Sequence, residues 1–166
     1  NRFNGRLDLS RVGVFGHSTG GAATIEFCTK DGRCDAGVAL DSWVLPVSDN
    51  VLTDGPTQPF MFINTPRWLG ERNASQGMRI FESLPNDAYN LTLAGTQHYD
   101  FTDLVLFSPM TPQLGLSGTI NSQYSLSIQN RYILAFFNKY VKMMDEPLLQ
   151  NSSPYPEVQI TIRTLE

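Results

Sequence analysis

The chain has 166 residues, of which 41% are hydrophobic and 17% are charged, and its formal net charge is −4. This composition indicates one soluble globular domain, or part of one, and excludes a disordered, fibrous or membrane-spanning chain. The pI near 5.1 and the absence of any cluster among the basic residues argue against a nucleic-acid partner.

Short apolar strands alternate with helical segments along the chain. The runs RVGVF (11–15) and AGVAL (36–40) predict buried strands, with a helix from Gly20 to Lys30 between them. PFMFI (59–63) and AYNLTLAG (88–95) predict two more strands, and helical spacing predicts helices over Ala74–Leu84 and Ser127–Met144. Residues 109–122 are predicted to be a loop. We therefore expect an α/β fold, a parallel sheet with flanking helices, over residues 1–145 and a C-terminal tail over 146–166.

Cysteine and asparagine positions bear on the cellular compartment. Cys28 and Cys34 enclose TKDGR and are either two free thiols or a local disulfide, which would imply an oxidising environment. Sequons at Asn73, Asn90 and Asn151 point the same way, although Asn90 is a poor acceptor because it lies in a predicted strand. We expect a secreted or extracellular protein whose numbering begins inside a longer precursor, since NRFNGRLDLS lacks the order of a signal peptide.

The stretch GHSTG (16–20) lies between the first predicted strand and the first predicted helix. It fits GxSxG, in which a serine occupies a sharp strand-to-helix turn and exposes its hydroxyl at the sheet edge. Gly16 and Gly20 would avoid clashes at that turn, and Gly21 would let the helix approach the sheet. An ordinary glycine-rich turn is one alternative; a phosphate-binding loop is weaker, because the lysine of GxxxxGK[ST] is absent. We predict that Ser18 is a nucleophile.

A serine hydroxyl needs a base within hydrogen-bond reach to attack a carbonyl. The sequence contains two histidines. His98 follows the fourth predicted strand, so a parallel sheet would bring it to the same carboxyl edge as Ser18, and we predict that it is the general base. The alternative for His98 is an ordinary surface histidine. The side chain of His17 should point away from the Ser18 hydroxyl and serve packing.

The base in turn needs an acid that fixes its tautomer and stabilises the imidazolium. Asp41 ends the second predicted strand, which places it at the same edge, and it is our candidate. Asp49 and Asp54 in the following loop remain open as alternatives. Asp100 and Asp103 are better explained as caps or first residues of a short helix after the base.

The chain order Ser18, Asp41, His98 is that of an α/β-hydrolase. The chain resembles the C-terminal half of the plasma-type platelet-activating-factor acetylhydrolases and their microbial relatives, on the segments GHSTGGAA, AGVALD, QPFMFIN, GTQHYDFTD and LAFFNKY. The resemblance covers most of residues 7–145. It implies an esterase with Ser18 as nucleophile, Asp41 as acid and His98 as base, acting without calcium on short or oxidised acyl groups of phospholipids, or on broader esters as in microbial members.

The sequence departs from the complete family pattern at its N-terminal side. The backbone N–H of Thr19 can supply one oxyanion-hole donor, but the second donor comes from a loop before the nucleophile that this chain lacks. The strand VGVFG would then lie at a sheet edge, where a long apolar strand invites aggregation. We expect the missing N-terminal half of the same domain to complete the fold and the site.

Apolar residues beside the predicted catalytic groups are candidates for the substrate pocket, namely Trp43, Phe101 and Leu104. The segment LVLFSPMTPQLGLSG (104–118) is either buried core plus loop, an acyl-pocket wall or a lipid-facing surface. No cluster has metal-ligand spacing, so no metal or other cofactor is expected. The alternatives to a phospholipid esterase are a generic secreted carboxylesterase or polyester hydrolase and a catalytically silent binding module.

Overall fold

The computed structural model describes residues 2–108, 110–150 and 152–164. A five-stranded sheet forms its centre, with strands in chain order: β1 (Gly13–His17), β2 (Ala36–Leu40), β3 (Phe60–Asn64), β4 (Ala88–Leu93) and β5 (Val158–Arg163). The helices are α1 (Thr19–Lys30), α2 (Asp49–Asp54), α3 (Glu71–Ser83) and α4 (Ser122–Lys142). Two short 3₁₀ helices cover His98–Phe101 and Asp103–Leu106.

Strands β1 to β4 pair in parallel, which confirms the predicted α/β sheet with flanking helices. Strand β5 pairs antiparallel with β4, from Ala88 opposite Arg163 to Leu93 opposite Val158. The expectation of a tail over residues 146–166 is therefore wrong for β5. Its sequence VQITIR alternates between apolar and polar residues, which suits an edge strand with one covered face.

The core has two layers because β2 and β3 are buried on both faces. Side chains alternate between the faces, so Phe60 and Phe62 pack toward α1 and α3, whereas Met61 packs toward α4. Helix α4 begins at Ser122, inside the segment predicted as a loop, because the Asn121 side chain caps it by accepting a hydrogen bond from the Tyr124 N–H.

Strand β1 lies at the edge of the sheet and is only partly buried, so the prediction of burial on both faces is wrong for it within the described residues. The side chain of Phe15 is 60% exposed. The carboxyl ends of β1 to β4 share one edge of the sheet, and the loops that leave this edge carry the predicted site residues.

Cys28 and Cys34 form a disulfide, which decides between the two alternatives for this pair. The sequons carry less weight than the sequence suggested. Asn73 is buried and holds three backbone partners through its side chain, Asn90 hydrogen-bonds Asn64 from within β4, and Asn151 lies outside the described residues. Within the described ranges, every helix is too short or too polar to cross a bilayer.

Candidate active site

Ser18 lies at the turn between β1 and α1, with φ 58° and ψ −121°. This is strained backbone for a residue with a side chain. A Cβ on Gly16 would lie 2.3 Å from the carbonyl oxygen of Gly20, and one on Gly21 would lie 2.6 Å from Cβ of Ser42. Both glycines are therefore required by close approach, whereas Gly20 faces open space, contrary to expectation.

The structure brings the three predicted site residues into one hydrogen-bonded chain. Nε2 of His98 is 3.0 Å from Oγ of Ser18, and Nδ1 of His98 is 2.7 Å from Oδ2 of Asp41. Because a carboxylate can only accept, Nδ1 carries the proton and Nε2 is left to accept from the serine hydroxyl. In this tautomer the imidazole can remove the serine proton, and the carboxylate can stabilise the resulting imidazolium.

Asp41 is fully buried, and its second carboxylate oxygen is held by a residue that sequence reasoning did not select. Oδ1 of Asp41 accepts hydrogen bonds from the backbone N–H and the hydroxyl of Thr65, each at 2.9 Å. The sequence signal that could have identified Thr65 was its position directly after β3, at the same sheet edge as Asp41. The alternative acids Asp49 and Asp54 lie at the two ends of α2, and the carboxylate that contacts His98 belongs to Asp41.

Hydrogen bonds to Asp100 hold the turn that carries His98. Oδ2 of Asp100 accepts hydrogen bonds from the backbone N–H groups of Gln97 at 2.8 Å and Gly118 at 2.6 Å. Its carbonyl oxygen accepts from the side chain of Gln129 in α4 at 2.9 Å. The prediction that Asp100 caps a short helix is confirmed.

His17 supports His98 from its other side, a contact that the packing role predicted for it did not include. Its Nε2–H donates to the carbonyl oxygen of His98 at 3.0 Å, and the two rings lie 4.4 Å apart between centroids. Burial lowers the pKa of His17 below its ordinary value, and the electrostatic interaction with the neighbouring His98 ring lowers it further. Neutral His17 therefore braces the backbone of the candidate base.

The other predicted residues occupy different environments. Thr19 is the first residue of α1, where a helical N–H has no partner within the helix. Trp43 donates its backbone N–H to the carbonyl oxygen of Ser18 at 3.0 Å, and its side chain is 43% exposed. Leu104 is also exposed. Phe101 is 5% exposed and stacks against His17, so it is a core side chain rather than an open pocket wall, a correction to the expectation.

A cavity of about 620 Å³ opens beside the acid and the base. Its walls are the loop after β3, the loop between β4 and the first 3₁₀ helix, and the segment 118–119. In the part of the chain that the structure describes, no three His, Cys, Asp or Glu side chains are grouped to hold a metal ion.

Comparisons with known proteins identify relatives of the chain. The family model "Platelet-activating factor acetylhydrolase, isoform II" matches residues 1–153. The platelet-activating factor acetylhydrolase of Gallus gallus is 32% identical over 145 residues, covering 86% of this chain and 34% of that protein. A probable 1-alkyl-2-acetylglycerophosphocholine esterase of Arthroderma benhamiae is 27% identical over 165 residues, covering 90% of this chain and 43% of that protein.

A solved structure, a ferulic acid esterase from Streptomyces cinnamoneus, superposes with a TM-score of 0.76 at 25% identity and covers 93% of this chain and 47% of that one. This likeness confirms the predicted α/β-hydrolase fold. The chain spans about a third of the Gallus gallus relative, and the matched part of the relatives is C-terminal. On the family match and these relatives, the chain belongs to the isoform II family of platelet-activating factor acetylhydrolases.

Proposed function

We propose that this chain supplies the catalytic serine, histidine and aspartate of a carboxylic ester hydrolase. The observation that carries the proposal is the unbroken hydrogen-bonded chain from Oγ of Ser18 through the His98 ring to Asp41, with distances of 3.0 Å and 2.7 Å. A silent binding module would need none of these contacts, and all of them are within catalytic range.

In the proposed reaction, Ser18 Oγ attacks the ester carbonyl while Nε2 of His98 takes its proton. Collapse of the tetrahedral intermediate breaks the bond to the alcohol, and the imidazolium returns its proton to the leaving oxygen. Water then attacks the acyl-enzyme by the same route, with His98 as base, and releases the acid. Asp41 stays ionised and stabilises the imidazolium in both halves of the reaction.

The negative charge of each intermediate requires an oxyanion hole, and the Thr19 N–H is one donor for it. Loss of a single donor typically slows such a reaction about 10²–10³-fold, or about 3–4 kcal/mol. We propose that an N-terminal segment of the same protein supplies the second donor and pairs with the outer edge of β1. The exposed ring of Phe15 on that edge supports this proposal, as does the C-terminal position of the match in the relatives.

The proposed substrates are short-acyl phospholipids, supported by the names of the acetylhydrolase and acetylglycerophosphocholine esterase relatives. A second candidate is a broader carboxylesterase, favoured by the likeness to the ferulic acid esterase. The disulfide supports a secreted or extracellular location for either one, because such bonds persist in oxidising compartments.

The segment after His98 supports a peripheral contact with lipid surfaces. Five of its apolar side chains are exposed, with Phe107 at 81% the most exposed: Leu104, Leu106, Phe107, Met110 and Leu114. Exposed apolar residues near a site for phospholipids suit insertion at a lipid–water boundary. Sedimentation with phosphatidylcholine vesicles tests this, and Phe107→Ser should weaken the binding.

The decisive experiment for the substrate is a series of phosphatidylcholines with increasing sn-2 acyl length, set beside feruloyl and p-nitrophenyl esters. A phospholipid esterase should have its highest kcat/KM on short-acyl phosphatidylcholines. A preference for feruloyl or p-nitrophenyl esters would favour the broader carboxylesterase, and no hydrolysis of any ester by a folded sample would contradict the proposal.

A further inference from the structure

We propose that the cavity beside His98 binds the anionic part of the substrate's alcohol, and that Arg67 is the cation that recognises it. The chemical class is an ester whose alcohol carries a phosphodiester or phosphate group. This inference rests on the proposed function and assigns a specificity-determining residue to the same site.

The position of the cavity follows from the chemistry of the leaving group. His98 and Asp41 both line it. Since His98 must return a proton to the leaving oxygen, the alcohol portion of the ester has to lie against this imidazole. The volume of about 620 Å³ falls within the range of small-molecule sites. The cavity therefore lies where the alcohol has to be, and it is large enough to hold it.

Arg67 gives this cavity its charge. The guanidinium side chain is exposed, and within the described ranges no ion pair or side-chain hydrogen bond engages it. The carboxylate on the same wall, Asp41, is fully buried and committed to His98 and Thr65. A guanidinium presents a planar pair of donors that matches two oxygens of a phosphate.

The backbone that presents Arg67 is strained. Trp68, Leu69 and Gly70 have φ values of 38°, 58° and 97°, and two of these residues carry side chains. The turn is closed by a hydrogen bond from the Gly70 N–H to the carbonyl oxygen of Arg67 at 2.8 Å. Below it, the Trp68 N–H donates to the hydroxyl of Thr65 at 3.0 Å. Strain of this kind persists only where the surroundings hold it, and it concentrates at ligand sites.

The opposite wall of the cavity is fixed as well. A Cβ on Gly118 would lie 1.9 Å from the carbonyl oxygen of Gly95, so the two loops touch through their backbones. The N–H of Ile120 donates to that same carbonyl at 3.1 Å, and the N–H of Gly118 donates to buried Asp100. A cavity with two such walls is formed before the substrate arrives, which lowers the entropic cost of binding.

A glycerophospholipid matches this arrangement. Its phosphodiester is joined to the sn-2 ester oxygen through two carbon atoms and one oxygen atom, so a leaving oxygen at His98 puts the phosphate inside the same cavity. The matching diacylglycerol has the same ester and no charge for Arg67 to bind. Because the phosphate keeps its charge throughout the reaction, Arg67 should lower KM more than it raises kcat.

The test compares dibutanoylphosphatidylcholine, below its micelle concentration, with 1,2-dibutanoylglycerol, using the full protein that contains this chain. The variants are Arg67→Gln, Arg67→Lys and the control Arg72→Gln, which removes an exposed arginine that does not line the cavity. For Arg67→Gln we expect KM on the phospholipid to rise about tenfold with the diacylglycerol unchanged, since a charge-assisted pair is worth about 1.4 kcal/mol or more. The KM of Arg67→Lys for the phospholipid should lie between those of the wild type and Arg67→Gln, and the KM of Arg72→Gln should match that of the wild type.

The inference is overturned if Arg67→Gln affects both esters equally, or if Arg72→Gln has the same effect on the phospholipid. A further measurement uses inorganic phosphate as a competitor of the phospholipid. Competition by phosphate that depends on Arg67, together with an unchanged KM for the phospholipid in Arg67→Gln, would show a free-anion site and overturn it. Failure of the proposed function is distinct, because it would abolish hydrolysis of both esters in the wild type, and the inference would fail with it.

Discussion

The acid–base side of the candidate site differs from its oxyanion side in how completely this chain builds it. On the acid–base side, Asp41 is fully buried and both its carboxylate oxygens are engaged, by His98 and Thr65. On the oxyanion side, Thr19 is exposed and the Trp43 side chain is 43% exposed.

This difference follows from the positions of the strands. The residues of the acid–base side lie on the loops after β2, β3 and β4, and each of these strands has a neighbour on both sides. The oxyanion side, at Thr19, lies next to β1 at the edge of the sheet. Paired strands fix the loops that follow them, so the proton relay is positioned within this chain. In our proposal, stabilisation of the oxyanion depends on the N-terminal segment that pairs with β1.

The largest effect should come from Asp41→Asn. The amide would keep an acceptor for Thr65 but would present an N–H to Nδ1 of His98, which favours the wrong tautomer. We expect kcat for p-nitrophenyl acetate to fall about 10⁴-fold while the fold is retained. Steady-state kinetics with circular dichroism checks this, and Asp49→Asn serves as the control. A loss below tenfold would mean that Asp41 is not the acid.

A smaller effect is expected from Thr65→Val. The change removes the hydroxyl that donates to Asp41 at 2.9 Å and accepts from the Trp68 N–H at 3.0 Å. We expect kcat to fall about tenfold. We expect the free energy of unfolding to drop by about 1 kcal/mol, because buried Asp41 loses one donor while the Trp68 N–H keeps the backbone carbonyl oxygen of Thr65 at 3.2 Å. Thr65→Ser, which keeps the hydroxyl, should restore kcat, and a failure to do so would assign the loss to packing.

On the oxyanion side, removal of a threonine hydroxyl should have little effect on kcat. Thr19→Ala leaves the backbone N–H in place and removes only an exposed side chain, so we expect kcat to stay within about threefold of the wild type. The same kinetic assay measures it. A loss as large as that of Thr65→Val would mean that the Thr19 hydroxyl takes part, and the contrast between the two sides would then be wrong.

The smallest expected effect concerns pH and His17. The pKa of His17 is lowered in the fold, chiefly by burial, so below about pH 6.5 the unfolded state binds more protons than the folded state. Stability should therefore fall as the pH drops below that value. His17→Gln, whose amide can still donate to the His98 carbonyl, should reduce this dependence. Urea unfolding at pH 7.5 and pH 5.5 measures it; an unchanged dependence in the variant would be the contrary result.

The sequence allowed prediction of the features that depend on local pattern. The four parallel strands follow from short apolar runs. Ser18 and Asp41 could be placed because each directly follows one of those strands, and His98 because it lies on the loop after the fourth. Parallel pairing then brings such residues to one edge.

Features that depend on tertiary contacts could not be read from the sequence. The role of Thr65 depends on where the second oxygen of Asp41 points, and the contact of His17 depends on the path of the His98 backbone. For strand β5, the alternation in VQITIR is a local strand signal that the prediction of a tail did not use, and only its antiparallel pairing with β4 depends on tertiary contacts. Each of these contacts is set by neighbours in space, which a local pattern does not contain.

The most direct test of the central claim is the intact mass of the native protein after incubation with a fluorophosphonate, beside a Ser18→Ala control and with any co-purifying chain retained. Our account predicts a single adduct that maps to Ser18 and is absent from the control. A folded sample that forms no adduct, or forms one equally in Ser18→Ala, would contradict the assignment of Ser18, His98 and Asp41 as a working catalytic site.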